Sequence, residues 1–330
     1  MNNKVLLRVE NLKKWFPLRR SIKEIILREP VKYVRAVDGI SFHINQAEIF
    51  GLAGESGSGK TTTGKLLLRL YEPDGGKILF DGKDLLQVPR KEFKPYRKKM
   101  QIIYQDPYGS LNPRMKVKDI VMEPLNYLEP DLGYDEKLER VIKTLEEVKL
   151  IPIEDFIEKF PHQLSGGQRQ RVAIARAIVV KPKFIVADEP VSMLDVSVRA
   201  GILNLLMDLR KDLNVSFLYI THDLATAGYV TDRLAIMYLG KIVEMGATDK
   251  ILTEPMHPYT QALISAVPEP DPERKIAAII KGEIPSPINI PKGCRFKTRC
   301  PFADKCPYKD KEPPLIEVEP GRWVACWLYA

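Results

Sequence analysis

Residues 54–61 read GESGSGKT, and the reading of this stretch decides the fold. A short apolar run, Glu48 to Ala53 (EIFGLA), precedes it, and a leucine-rich segment through Leu66, Leu67, Leu68 and Leu70 follows. A buried strand, a glycine-rich turn and a helix, in that order, are the context that the G-x-x-x-x-G-K-[ST] spacing requires of a phosphate loop. Gly54, Gly57 and Gly59 let the backbone curl until successive N–H groups point at phosphate oxygens. The helix behind them adds its positive N-terminal end. Lys60 supplies a cation to the β- and γ-phosphates, and the Thr61 hydroxyl is suited to Mg²⁺. The phosphate-binding set is therefore Gly54, Glu55, Ser56, Gly57, Ser58, Gly59, Lys60, Thr61 and Thr62.

Outward from the loop, strand-like runs alternate with helical patterns as far as about residue 253. Lys183 to Ala187 (KFIVA) and Val215 to Thr221 (VSFLYIT) read as buried strands, with a helix from Ser197 to Leu213 between them. This βαβ order predicts an α/β fold with a largely parallel sheet. The Asp81-Gly82 turn predicts an antiparallel hairpin within Lys77 to Asp84. Residues 107–180 read mostly as helix and are expected to form an inserted helical subdomain. The run KFIVADEP ends on Asp188 and Glu189, and acids at the C-terminal end of such a strand are placed for phosphate chemistry. Asp188 would hold Mg²⁺, directly or through water, and Glu189 would orient and deprotonate an attacking water.

Residues 164–168 read LSGGQ. Ser165 is a good N-cap, and Gly166 and Gly167 expose N–H groups at a helix start, which makes a second anion site far along the chain from the first. With these motifs in this order, the chain resembles the nucleotide-binding subunits of ABC transporters over about 250 residues. The resemblance implies ATP as ligand with Mg²⁺, and ATP hydrolysis by a dimer that sandwiches two nucleotides head to tail. It assigns adenine stacking to Phe16, with neighbouring Trp15 as the alternative. Gln105, in IIYQDP, matches the glutamine that contacts Mg²⁺ and the catalytic centre. Ser165, Gly166, Gly167 and Gln168 match the signature that contacts the nucleotide held by the opposite subunit. Asp195, in SMLD, matches the loop that follows, and His222, in YITHDL, matches the histidine that hydrogen-bonds the γ-phosphate. Met193 stands where the family often has alanine; Glu189 and His222 are both present, so nothing suggests a degenerate site.

Composition changes after residue 253. Thirteen of the 26 prolines fall in the last 77 residues, a density that precludes long helices or a central sheet and leaves little core, so a staple is expected. The domain boundaries implied are 1–253 for the nucleotide-binding domain and 254–330 for a Pro-rich, Cys-containing extension. HPYTQAL (His257 to Leu263) and GEIPSPINIPKGCRFKTRCPFADKC resemble the C-terminal extension of dipeptide and oligopeptide importer ATPases. That resemblance implies two membrane permease subunits, a second, non-identical ATPase subunit (with a homodimer possible in isolation) and an external solute-binding protein as partners. It places the chain at the cytoplasmic side of the cell membrane. Relatives with such a tail also carry sugars, nickel or glutathione, and a non-transport ABC ATPase acting on nucleic acid is the remaining alternative. No nucleic-acid partner is expected, because the chain has one nucleotide domain and no coiled-coil arms.

All four cysteines, Cys294, Cys300, Cys306 and Cys326, lie in this extension with spacing C-x₅-C-x₅-C-x₁₉-C. The spacing matches neither paired C-x₂-C zinc sites nor common ferredoxin runs. The resemblance favours a [4Fe–4S] cluster, with Zn²⁺ or four free thiols beside Phe296, Phe302, Trp323 and Trp327 as alternatives. The start of the chain lacks the apolar core of a signal peptide, and no run of about 18 apolar residues occurs, so a cytosolic protein that works with separate membrane subunits is expected. Lys plus Arg is 51 against 43 Asp plus Glu; this excess suits an anionic partner without choosing one.

Overall fold

A computed structural model describes residues 4–266 and 282–330. The chain divides into two compact units that it visits alternately. One comprises Met1–Leu6, Ile44–Phe50 and Asp84–Thr221; the other comprises Leu7–His43, Gly51–Lys83 and His222–Ala330.

The first unit is built on three parallel strands, Met100–Ile103, Phe184–Asp188 and Ser216–Thr221. Their registers run from Met100↔Phe184 to Ile103↔Ala187 and from Phe184↔Ser216 to Asp188↔Ile220. Phe184–Asp188 and Ser216–Thr221 are buried at every position, which is why both read as continuous apolar runs rather than as alternation. The crossover helix Val196–Leu213 joins them and stops where Asn214 turns left-handed at φ 53°, a conformation asparagine tolerates. Between the first two strands lie the helices Pro107–Ser110, Val117–Leu128, Tyr134–Glu147 and Gly166–Ile178. Val117, Ile120, Val121 and Leu125 are buried at helical spacing on one face of Val117–Leu128, the stripe that a surface helix turns to its core. Arg176 donates to the Ser110 carbonyl at 2.6 Å and Arg171 to that of Val148 at 2.6 Å, so helix Gly166–Ile178 is tied to its neighbours at two points.

The second unit carries the phosphate loop. The strand within Val5–Pro17 pairs antiparallel with Gly75–Phe80, from Leu7↔Phe80 to Lys13↔Gly75. The expected hairpin is present, with Asp81 at φ 51° and Gly82 at φ 81° supplying the left-handed pair that a tight two-residue turn demands. The helix behind the loop is shorter than its leucines suggest. It spans Lys60–Leu67, and Arg69 is already left-handed at φ 49°.

The proline-rich extension is not an appendage of this unit. Strand Arg322–Val324 pairs antiparallel with Lys241–Ala247 (Glu244↔Val324, Met245↔Trp323) and is flanked by Ile316–Glu319. Phe296 is 2 % exposed and joins Tyr238, Leu239, Val243 and Tyr259 in a core cluster. Arg322 pairs with Glu244 at 3.4 Å, and Glu244 also accepts from the N–H groups of Met256 and His257 at 2.9 Å each. A buried carboxylate survives only when its charge and lone pairs are satisfied in this way. The sequence predicts a staple, and the tail is fastened here by aromatic burial and paired arginines. Among the described residues, no helix is long and apolar enough to cross a membrane.

His257 caps the helix Pro258–Ser265, its Nδ1 accepting from the Tyr259 N–H at 3.0 Å. Burial pushes its pKa down to about 3 from the ordinary 6.5. A histidine held neutral in the fold gives stability that is complete above pH 6.5 and lost as pH falls toward 3. At pH 5 this loss is ~2 kcal/mol. Urea titrations at pH 7 and pH 5 should show it in the wild type, and His257→Asn, which caps without titrating, should remove that part of the pH dependence.

Candidate functional site

The curl of the phosphate loop is set by the backbone packed around it. Gly54 and Gly59 have φ 150° and 109°, and a Cβ at either would meet a carbonyl oxygen: that of Met237 at 2.2 Å or that of Ala36 at 2.0 Å. Only glycine fits these two positions. Lys60 begins the helix and folds back across the loop, its Nζ donating to the carbonyls of Gly54 at 2.7 Å and Glu55 at 2.9 Å. It is 5 % exposed, so its charge sits in a poorly solvated place where an anion gains most from it. The Ser58 hydroxyl is buried without a hydrogen-bond partner among the described residues. No acidic residue occupies the first turn of the Lys60–Leu67 helix. A curled run of N–H groups, a buried lysine and an orphaned hydroxyl fit a polyphosphate, and the exposed Thr61 fits a cation held beside it.

Two tail residues that carry no sequence signal for this role, Tyr259 and Arg299, hold this loop. Glu55 donates its N–H to the Tyr259 hydroxyl at 2.9 Å. Its carboxylate takes a two-pronged pair from Arg299 at 2.8 and 3.0 Å. That hydrogen bonding raises the guanidinium pKa further above its ordinary value. On strand Tyr33–Asn45, Asp38 accepts from the Trp15 indole at 3.0 Å and from Arg295. Burial pushes the Asp38 carboxyl up, but the hydrogen bond and charge of Arg295, with help from Lys241 and Trp15, hold it below the usual carboxylate range. The Arg35 guanidinium lies 4.4 Å from the Trp15 ring, while Phe16 meets Tyr71 edge-on at 5.5 Å. Trp15 is thus committed to Asp38 and Arg35, which leaves Phe16 the better candidate for stacking on a base. His222 is exposed just after strand Ser216–Thr221, and Asp223 beside it caps the helix Leu224–Val230.

In the first unit, Asp188 closes its strand and is 6 % exposed. Glu189 follows at φ 47°, a strained conformation for a non-glycine residue. Its N–H donates to the Ile220 carbonyl at 2.9 Å, and the Ser192 hydroxyl donates to its carbonyl at 3.0 Å. Gln105 Nε2 donates to Glu189 Oε2 at 3.0 Å, so two of the residues expected to act on the reacting water are brought together. Ser165 and Gln168 cap the signature helix reciprocally: Ser165 Oγ accepts from the Gln168 N–H at 3.3 Å, and Gln168 Oε1 from the Ser165 N–H at 2.9 Å. A Cβ on Gly167 would meet Val198 at 2.5 Å. Asp195 is exposed ahead of helix Val196–Leu213 without a side-chain cap bond. Beside it Met193 is 55 % and Val196 80 % exposed. Lys60, Thr61 and His222 belong to one unit; Gln105, the signature, Asp188, Glu189 and Asp195 belong to the other.

The metal site expected in the tail is not supported by this geometry. Among the described residues, no three His, Cys, Asp or Glu side chains form a group able to hold a metal ion. Cys294, Cys300, Cys306 and Cys326 are free thiols. Cys294 and Cys300 pack against the aromatic cluster around Phe296. Burial pushes the thiols of Cys294, Cys300 and Cys326 up, the last to about 11. The four nevertheless lie within electrostatic reach, Cys326 feeling each of the other three.

Comparison with known proteins accords with the site. Residues 37–192 match the ABC transporter family, and residues 243–308 match the oligopeptide/dipeptide transporter C-terminal region. The chain is 47 % identical over 299 residues to the putative oligopeptide transport ATP-binding protein YkfD of Bacillus subtilis, covering 90 % of each protein. It is 42 % identical over 333 residues to the oligopeptide transport ATP-binding protein AppF of the same bacterium, covering 100 % of this chain and 99 % of AppF. Among solved structures, an ATP-binding cassette dimer in a post-hydrolysis state with ADP and phosphate aligns with TM-score 0.63 and 26 % identity, covering 74 % of this chain and 99 % of that one. CbiO1 of Clostridium perfringens aligns with TM-score 0.64 and 28 % identity over 76 % of this chain and 92 % of its own. With relatives this similar over this much of its length, the chain belongs to the ATP-hydrolysing subunits of ABC transporters, in the group that carries the oligopeptide/dipeptide transporter C-terminal region.

Proposed function

We propose that this ATPase powers the import of dipeptides and oligopeptides through separate membrane permeases. The observation that carries the reading is the tail: residues 243–308 match the peptide-transporter C-terminal region, and the relatives alike along nearly the whole chain are named for oligopeptide transport. In this reading the protein sits at the cytoplasmic face of the membrane, bound to two permease subunits and paired with a second ATPase subunit. An external binding protein delivers the peptide.

The residues then take the following roles. Lys60 leaves the carbonyls of Gly54 and Glu55 for the β- and γ-phosphates, and the loop N–H groups take the remaining phosphate oxygens. By resemblance to the family, Thr61, Gln105 and Asp188 would be the residues that hold Mg²⁺, which would supply charge neutralisation for phosphoryl transfer. Glu189 accepts a proton from the attacking water, its carboxylate aimed by the Gln105 amide. His222 hydrogen-bonds the γ-phosphate, and Phe16 stacks on adenine. Ser165, Gly166, Gly167 and Gln168, with Asp195, contact the nucleotide of the paired subunit; the exposed Met193 and Val196 support a partner surface there. ATP favours the closed pair because it touches both subunits, and ADP does not.

Two measurements test this reading. ATP hydrolysis by the assembled transporter should rise several-fold when a peptide-loaded binding protein is added, as coupling energies of about 1–3 kcal/mol imply. Stimulation by a sugar or nickel carrier, with none by peptide, would assign another cargo. In the same assay Glu189→Gln should lower kcat by roughly 10²–10⁴ while ATP still binds; unchanged turnover would remove Glu189 as the base.

The four cysteines are a separate part of the proposal. What supports a [4Fe–4S] cluster is the gathering of Cys294, Cys300, Cys306 and Cys326, which would hold it, in a tail that matches the oligopeptide/dipeptide transporter C-terminal region. No step of hydrolysis depends on it. Protein purified without oxygen should then carry about four irons and four acid-labile sulfides per chain. Stoichiometric zinc, or neither metal in active protein, contradicts the cluster.

A further inference from the structure

We propose that the tail is a clamp on the nucleotide site, with Arg299, Tyr259 and Arg295 as positioning residues for ATP. The inference rests on ATP binding at the phosphate loop and does not depend on which solute is carried.

Glu55 is the second residue of the GESGSGKT loop, and the tail grips it twice. The Tyr259 hydroxyl takes its N–H, and the Arg299 guanidinium takes both oxygens of its carboxylate. Neither grip is a loose surface contact. The side chains of Arg299 and Glu55 are only 7 % and 26 % exposed. Tyr259 is fully buried, with its ring 4.6 Å from Tyr238 and 5.5 Å from Phe296. The backbone of Tyr259 is fixed by the His257 cap, and His257 is held by Glu244.

The grip reaches the phosphate-binding lysine by one further bond. Lys60 rests on the carbonyls of Gly54 and Glu55, so the peptide that Tyr259 and Arg299 hold still carries one of the two oxygens that orient Lys60. With its N–H held by Tyr259 and its carboxylate by Arg299, Glu55 serves as the loop's fixed post.

Four residues before Arg299, Arg295 reaches the other side of the site. It pairs with Asp38, which accepts from Trp15 beside Phe16, and it donates to the Leu239 carbonyl. The adjacent Gly240 accepts from the Asp38 N–H and donates its own N–H to the Ser58 carbonyl, both at 2.9 Å. One stretch, CRFKTRC, thus braces the phosphate side through Arg299 and the base side through Arg295. A loop braced from both sides loses less conformational freedom when ATP orders it, and the gain appears as affinity.

The full-length protein tests this. Mg-ATP dissociation constants, KM, kcat and ligand-free melting temperatures are measured for the wild type, Arg299→Met, Arg299→Lys, Tyr259→Phe and the exchange Glu55→Arg/Arg299→Glu. Arg299→Met should raise the dissociation constant and KM about tenfold while kcat at saturating ATP stays within about twofold. Arg299→Lys keeps the charge but not the fork, so it should fall between. The exchange should recover most of the affinity. If Arg299→Met does not fold, Tyr259→Phe, which removes a single oxygen, carries the same expectation. Variants that melt earlier yet bind ATP like the wild type would show a mere tail fastener and overturn the clamp. Wild-type protein that does not bind ATP would overturn the nucleotide site, and the clamp with it.

Discussion

An anion site made of backbone N–H groups works only if the backbone is already bent to receive the anion. In this protein the bend is enforced from outside the loop. The carbonyls of Met237 and Ala36 stand where side chains at Gly54 and Gly59 would be, and Glu55 is pinned by Tyr259 and Arg299. Lys60 donates to carbonyls of the loop itself. The ligand then exchanges one set of oxygens for another rather than folding a disordered segment, and little ordering entropy opposes binding.

The hydrolytic side follows a similar economy. Glu189 is strained at φ 47°, and it is held by contacts that include its N–H on Ile220, the Ser192 N–H and hydroxyl on its carbonyl, and the Gln105 amide on its carboxylate. In the proposed role of general base, a carboxylate aimed in this way needs little reorganisation during the reaction. The signature helix is likewise finished at its start, where Ser165 and Gln168 satisfy each other's N–H. Its remaining N–H groups keep their positive end for an anion.

Much of this could be read from the sequence because it is local. The phosphate loop, the strand ending in Asp188 and Glu189, the Asp81-Gly82 hairpin and the S-x-x-Q cap each lie within a few residues of chain, where spacing fixes geometry. What could not be read is the pairing of distant residues. Arg299 and Glu55 are 244 positions apart, and Arg295 and Asp38 are 257. No periodicity marks either arginine, since a charged residue between cysteines reads as solvated until its partner is seen. Tyr259 was visible only as part of HPYTQAL, with no sign that its hydroxyl accepts from the phosphate loop. The tail's proline content implies short elements, and its described residues form short helices and strands. The fasteners the fold shows are Phe296 in its aromatic cluster and the paired arginines, because cysteine spacing specifies neither how closely four thiols approach nor what else holds the segment.

The most direct test of the account is the flux itself. Proteoliposomes holding this subunit, its permease pair and the second ATPase are loaded with the external binding protein and labelled peptide, and ATP is supplied on the side that carries the ATPase subunits. The account predicts that peptide crosses toward the ATPase side only when ATP is hydrolysed, and that Lys60→Ala in this chain abolishes the movement. Peptide movement that continues without hydrolysis, or hydrolysis that never moves peptide, would contradict it.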